Sequence, residues 1–226
     1  MPSNHTAFSI GYLIFHGFTS LDVWGPLAAL NSLTMNETAS LSLISQTMDP
    51  VWVDRSPIPL REGIASPEFY ETVNPTHTFS TAPDLDIIIV PGGGATRNLN
   101  ATQPYVDFLS SRWTDDLTFM MSVCTGASLL ARTGKMDGRN ATSNKAAFKW
   151  VMSTGPNVNW VKKARWVVDG NLWTSSGVSA GTDMMIGWIE SEYGTDKATN
   201  LANLMEWNRM GQDNDPFAEL YGLTDD

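Results

Sequence analysis

The chain has 226 residues, 24 acidic against 14 basic side chains, a formal charge of -10, one cysteine and three histidines. The length suits one compact α/β domain, and 42% hydrophobic residues are enough for a real core. One cysteine excludes an intramolecular disulfide framework and any Cys-only zinc or iron–sulfur site, and the acidic balance argues against nucleic acid or an anionic membrane surface as partner.

Residues 1–6 are polar and lack a basic n-region. The apolar run from Ala7 to Phe15 is too short for a membrane helix and ends at His16-Gly17. A soluble, cytoplasmic protein is therefore expected. Phe8 to Phe15 predicts a buried strand. A helix follows over 22–33, with Leu27, Leu30 and Leu33 on one face and Pro26 in its first turn, where proline is tolerated. Residues 41–45 read as a second strand. From Met48 to Pro83 the chain is rich in Pro, Ser and Thr, which predicts an irregular excursion with short strands at 51–53 and 76–79.

Asp86-Ile87-Ile88-Ile89-Val90 is the strongest strand signal, closed by Pro91-Gly92-Gly93-Gly94. Consecutive apolar residues mean that both faces are covered, as in a central parallel strand. A helix over 103–112 and a strand over 117–123 come next, with Cys124 at the strand's end. Further helices are predicted over 125–133, closed by Gly134, and over 143–152. Asp169-Gly170 joins strands 166–168 and 171–174 as a hairpin. A helix runs from Gly177 to Tyr193, and a last one starts at Thr195 and reaches about Met210. The order β-α-β, with a partly antiparallel edge, predicts a three-layer α/β/α sandwich. A single domain over 1–226 is expected, with its core at about 8–210. Residues 212–226 read as a solvated acidic tail.

Cys124 is the feature to weigh. A lone cysteine is most often a small buried hydrophobe. Here it stands where open α/β sheets place their ligands, at the C-terminal end of a central strand. Thr125-Gly126-Ala127 follow at once and open a helix, whose N-terminus favours a thiolate and can hold an oxyanion. A strand-to-helix turn bearing a nucleophile is the geometry of the hydrolase elbow, although G-x-S-x-G is absent. Such a nucleophile needs an acid or base partner. His5, His16 and His77 each read as solvated or structurally satisfied imidazoles, so a Cys-His-Asp triad lacks support. Asp22, between Leu21 and Val23, is the better candidate. Burial would raise its pKa toward neutrality and suit it to proton transfer. Its spacing alone favours the plainer role of helix N-cap. The Gly92-Gly93-Gly94 turn can aim backbone N–H groups at an anion, but it is neither a P-loop nor a dinucleotide fingerprint.

The segments Leu21-Asp22-Val23-Trp24-Gly25-Pro26, Pro91-Gly92-Gly93-Gly94, Ser122-Val123-Cys124-Thr125-Gly126-Ala127 and Gly177-Val178-Ser179-Ala180-Gly181-Thr182-Asp183, in this order, resemble the DJ-1/PfpI superfamily. They look most like its isonitrile hydratase branch, and the similarity runs from about Phe8 to about Phe217. The resemblance implies a flavodoxin-like sandwich with a nucleophile elbow, related to class I glutamine amidotransferases. It implies Cys124 as nucleophile and Asp22 as its acidic partner, in place of the helix cap. The backbone N–H groups of Gly93 and Thr125 would form the oxyanion pocket. Trp24, Asn144, Gly177 and Val178 are expected to line the substrate pocket. A homodimer acting on a small molecule, with no metal or organic cofactor, is implied as well. The reaction implied is addition of water to an isonitrile through a Cys124 thioimidate, giving an N-substituted formamide. Where bacterial relatives carry Thr-Thr-His-Trp, this chain has Thr142-Ser143-Asn144-Lys145, so Asn144 stands where that His would be.

Three readings compete with a hydratase. A glyoxalase- or deglycase-like enzyme would be expected to use a Glu partner and a His near the cysteine, and neither is evident. A non-catalytic redox sensor would exploit an easily oxidised thiolate. A DNA-binding regulator is disfavoured by the acidity and by how soon the chain stops after the sandwich. Trp24, Trp150, Trp173 and Trp207 read first as core or interface packing, with pocket lining as the alternative.

Overall fold

The computed structural model describes residues 7–53 and 71–223. His5 and most of the Pro/Ser/Thr-rich excursion lie outside these. Eleven strands and seven α-helices follow one another among the described residues. The strands are β1 Phe8–Leu13, β2 Ala39–Ser45, β3 Val51–Trp52, β4 Thr72–Val73, β5 His77–Thr78, β6 Ile87–Val90, β7 Phe119–Ser122, β8 Asn140–Ala141, β9 Asn159–Trp160, β10 Trp166–Asp169 and β11 Leu172–Ser175. The helices are α1 Ser20–Leu33, α2 Leu99–Arg112, α3 Ala127–Ala131, α4 Phe148–Thr154, α5 Ala180–Tyr193, α6 Thr195–Leu204 and α7 Phe217–Leu220.

Seven strands form one sheet in the order β10-β11-β7-β6-β1-β2-β5. Every pairing in it is parallel except β10 with β11, the hairpin expected at Asp169-Gly170. Helices α1, α5 and α6 pack together, and α2, α3 and α4 form the other group. This is the three-layer α/β/α sandwich. The four residues of β6 are all buried, as a central strand covered on both faces must be. The chain leaves β1 toward β2 and returns to the opposite side of β1 with β6. The strand order therefore reverses at β1/β6, where a crevice opens beyond the strand ends. Asp22 follows β1, Gly92 and Gly93 follow β6, and Cys124 follows β7, so the topology alone gathers them there.

Several boundaries differ from those predicted, and the reasons are tertiary. Helix α1 begins at Ser20, with Thr19 at the cap position, so Asp22 lies within its first turn and does not cap it. Pro26 consequently falls in the second turn. Helix α2 starts at Leu99 because the Asn98 side chain accepts the Ala101 N–H at 3.1 Å. Helix α4 starts only at Phe148, because Asn144 accepts the Ala147 N–H at 3.1 Å and holds residues 143–147 as a turn. Helix α6 ends at Leu204, since Glu206 takes φ 50° and turns the chain back.

Residues 212–223 are not a solvated tail. Asp215 is buried and pairs with buried Lys145 at 3.2 Å, while Ala218 and Leu223 join an apolar cluster with Phe148. A buried counter-charge outweighs the general preference of acidic residues for water.

Candidate active site

Cys124 has φ 58°, left-handed backbone that costs a non-glycine residue about 1–2 kcal/mol. Its surroundings hold it there. Its N–H donates to Ser176 O at 2.9 Å, and its carbonyl accepts the Ser143 hydroxyl at 2.8 Å. The strand ends approach so closely that a Cβ on Gly126 would lie 2.4 Å from Val90 O. One on Gly92 would lie 2.5 Å from the Thr125 nitrogen. The glycines flanking the elbow are thus required by contact between backbones. The sharp turn presents the sulfur at the crevice.

The thiol is nearly enclosed, with Cys124 only 5% exposed. Burial first, and the charge of Asp22 second, push its pKa from 9.0 up to about 12. Hydrogen bonds from the Thr125 N–H, the Asn144 side chain and the Val178 N–H act in the opposite direction. The helix start therefore does not hold a resting thiolate, contrary to the expectation from the sequence. The physical reason is length. A three-residue 3-10 turn and the five-residue α3 supply little macrodipole, and desolvation outweighs it. The three donors instead surround the place where negative charge would form on sulfur, or on an adduct, during a reaction.

Asp22 is fully buried, and its Oδ2 accepts the Gly92 N–H at 2.8 Å. The carbonyl of Asp22 would normally accept from residue 26 in a helix, but Pro26 has no N–H. The Tyr12 hydroxyl, from near the C-terminal end of β1, donates to that carbonyl instead. Tyr12 is itself buried, and burial plus the Asp22 charge hold its phenol well above its ordinary pKa, so it stays a donor. Both ends of Asp22, carboxylate and carbonyl, are thereby fixed to the sheet.

The Gly93 N–H donates to Thr125 Oγ1 at 3.0 Å, and the Thr96 hydroxyl donates to Gly93 O at 2.7 Å with its oxygen 3.1 Å from Thr125 Oγ1. Of the two backbone N–H groups predicted for the oxyanion pocket, that of Thr125 faces the sulfur. That of Gly93 is taken up by the Thr125 hydroxyl. Val178 N–H and the Asn144 side chain complete the set of donors at the sulfur.

A cavity of about 220 Å³ opens beside the elbow. Asn144, Gly177 and Val178 line it, so the cavity and the sulfur share a wall. Arg165 lines it as well, but its guanidinium is paired at 2.7 Å with buried Asp183. The remaining Asp183 oxygen accepts Trp207 Nε1 at 2.8 Å and the Met210 N–H at 3.1 Å. Trp24 is 38% exposed on α1 and lies outside this cavity. Trp173 is core, Trp150 packs under the Arg97 guanidinium, and Trp207 serves Asp183. His16 stacks on Trp52 with ring centroids 3.7 Å apart, and His77 meets Thr76 on the edge strand β5. Tyr12, Ser143, Lys145 and Asp215 went unrecognised in the sequence. Pro26 four residues after Asp22 was the one readable signal for a donor from outside α1.

Among the described residues no three His, Cys, Asp or Glu side chains gather closely enough to hold a metal ion. No helix among them is long and apolar enough to cross a membrane.

Comparison with known proteins shows the family and the fold. The isonitrile hydratase of Pseudomonas putida is 31% identical over 201 residues, 89% of this chain and 79% of that protein. The HTH-type transcriptional regulator GbdR of Pseudomonas aeruginosa is 27% identical over 99% of this chain, which spans 58% of the regulator's length. In fold, a crystal structure of a THiJ/PfpI family protein from Pseudomonas syringae superposes with TM-score 0.73 at 24% identity, over 95% of this chain and 84% of that one. The DJ-1/PfpI family profile matches residues 9–191. With an elbow cysteine at the switch point of a doubly wound sheet, the chain belongs to the DJ-1/PfpI family.

Proposed function

We propose that this protein is a cysteine-dependent hydro-lyase that adds water to an isonitrile. The observation that carries the reading is the buried Cys124 thiol at the strand end, with the Asp22 charge acting on it and three donors converging on its sulfur. The similarity to an isonitrile hydratase supports the choice of substrate.

An isonitrile carbon is both electrophile and, once sulfur has added, a base. A thiol that keeps its proton until attack suits that chemistry. The Cys124 sulfur forms a bond to the terminal carbon of R–N≡C. Its proton passes to Asp22 and from there to the same carbon, giving the thioimidate R–N=CH–S–Cys124. Asp22 next takes a proton from water as the water oxygen bonds to that carbon. Asp22 returns that proton to the nitrogen, the C–S bond breaks, and the remaining hydroxyl proton passes to the sulfur as the carbonyl forms. The products are R–NH–CHO and the free thiol, with no net oxidation. Donors at Thr125, Asn144 and Val178 stabilise charge on sulfur as the C–S bond forms and breaks. A homodimer in the cytoplasm, with one domain over the whole chain, forms part of the same reading.

The similarity to a transcriptional regulator over nearly the whole chain favours a second reading. In it the same cavity binds a small molecule without turning it over. One experiment separates the two. Purified protein is given an aryl isonitrile and formamide is followed by chromatography, with Cys124→Ala and Asp22→Asn beside it. Hydration predicts turnover that falls about 100-fold or more in each variant. Turnover surviving in Cys124→Ala would remove the nucleophile, and binding without turnover by the wild type would select the second reading.

A further inference from the structure

The cavity beside Cys124 has a wall that comes from the end of the described chain. Phe217 and Tyr221, from α7 and the residue after it, line the cavity together with Asn144 and Val178. Both aromatics are about half exposed, 45% and 48%, so packing of their own rings does not hold them there. Ala218 and Leu223 anchor the segment against Phe148, and Asp215 fixes its start. Asp215 accepts the Phe217 N–H at 3.1 Å and pairs with Lys145 at 3.2 Å, with both charged side chains 1% exposed.

Lys145 is committed on its other side to the active-site turn. Its ammonium donates to Thr142 Oγ1 at 2.6 Å, to Ala164 O at 2.9 Å and to Ser143 O at 3.3 Å. Ser143 holds the Cys124 carbonyl, and Asn144, the residue before Lys145, donates to the sulfur. One buried ion pair thus ties the aromatic wall to the turn that serves the nucleophile. The Arg165 charge in the lining is already neutralised by Asp183, which leaves the rings to decide what the cavity admits.

We propose that Lys145 and Asp215 are positioning residues that dock segment 215–221 against the active-site turn, and that Phe217 and Tyr221 thereby set the size of the uncharged group admitted beside Cys124. This rests on the cavity being where the reacting molecule sits. It does not require that molecule to be an isonitrile. About 150 Å³ of enclosed cavity is enough for benzene, so about 220 Å³ has room for a single ring.

The test uses alkylation of Cys124 by two reagents with the same reactive group, iodoacetamide and its N-phenyl analogue, on the full chain. The reading is the ratio of bulky to small reagent rates, taken well below each variant's unfolding midpoint because unfolding would itself raise the ratio toward that of a free thiol. Phe217→Ala and Tyr221→Ala should each raise that ratio at least fivefold. Asp215→Asn should raise it as much, with limited proteolysis showing earlier cleavage in segment 211–223. If Asp215→Asn does not fold, Asp215→Glu, which keeps the charge on a longer arm, should raise the ratio at least twofold. A ratio unchanged in both aromatic variants overturns the wall. A ratio unchanged in a folded Asp215 variant overturns the positioning role. Failure of the wild type to hydrate isonitriles, with these shifts intact, would refute the reaction and leave the wall standing.

Discussion

The Tyr12 hydroxyl donates to the backbone carbonyl of Asp22, replacing the N–H that Pro26 lacks. A central strand thereby sets the height and orientation of the candidate proton carrier. Removing this hydroxyl in Tyr12→Phe leaves a buried carbonyl without its donor, which costs about 1–3 kcal/mol. Turnover should fall about tenfold as Asp22 loosens. Pro26→Ala restores an N–H to the same carbonyl. The double variant Tyr12→Phe/Pro26→Ala should therefore be more stable than Tyr12→Phe alone, and urea unfolding of the four proteins measures the coupling.

The thiol's reactivity should follow its environment with pH. With its pKa pushed up to about 12, alkylation of Cys124 should climb about tenfold per pH unit from 7 to 10 without a plateau. Asp22→Asn removes a charge that raises this pKa, so alkylation at fixed pH should become faster even as turnover is lost. Asn144→Ala removes a hydrogen bond that lowers it, so alkylation should slow. The same shift bears on folding. The folded thiol holds its proton more tightly than the unfolded one, so this contribution to stability is complete below pH 9 and is lost between 9 and about 12. A plateau in the alkylation profile near neutrality would show a resting thiolate.

Contact between the strand ends makes a third prediction. Gly126→Ala places a Cβ 2.4 Å from the Val90 carbonyl oxygen, backbone that cannot step aside. The variant should lose about 1–3 kcal/mol and most activity, whereas Gly134→Ala, with open space around it, should lose only what its φ of 74° costs. Thermal unfolding compares the two directly.

The buried pair Lys145–Asp215 should be lopsided under mutation. Lys145→Met leaves a carboxylate alone in the interior and should cost about 3–5 kcal/mol. The double change Lys145→Met/Asp215→Leu removes both charges and should recover most of that. Denaturant midpoints of the single and double variants give the answer.

What could be read from the sequence was what is local. Ile87 to Val90 announces a central strand through its own composition, and Cys124 announces an elbow through the small residues after it. The antiparallel hairpin at Asp169-Gly170 is a turn signal two residues long. Asp22 could be placed at the site only by resemblance, because burial, which separates a proton carrier from a helix cap, is a property of the packed chain. The role of Asp215 was hidden for the same reason. Its partner is 70 residues away in sequence, and the surrounding acids made a solvated stretch the natural expectation. The resting thiol was misjudged because helix N-termini favour thiolates in general, while α3 is too short to prevail against enclosure.

The left-handed backbone at position 124 sets the sulfur against stability. A chain under pressure only to fold would place glycine there, as it does at Gly93 and Gly134, which share the positive φ. Cys124→Gly should accordingly be more stable than Cys124→Ala by about 1 kcal/mol, although both lack the sulfur. The sulfur thus stands at a backbone position where the fold alone favours glycine, and the chain carries that local cost beside the crevice.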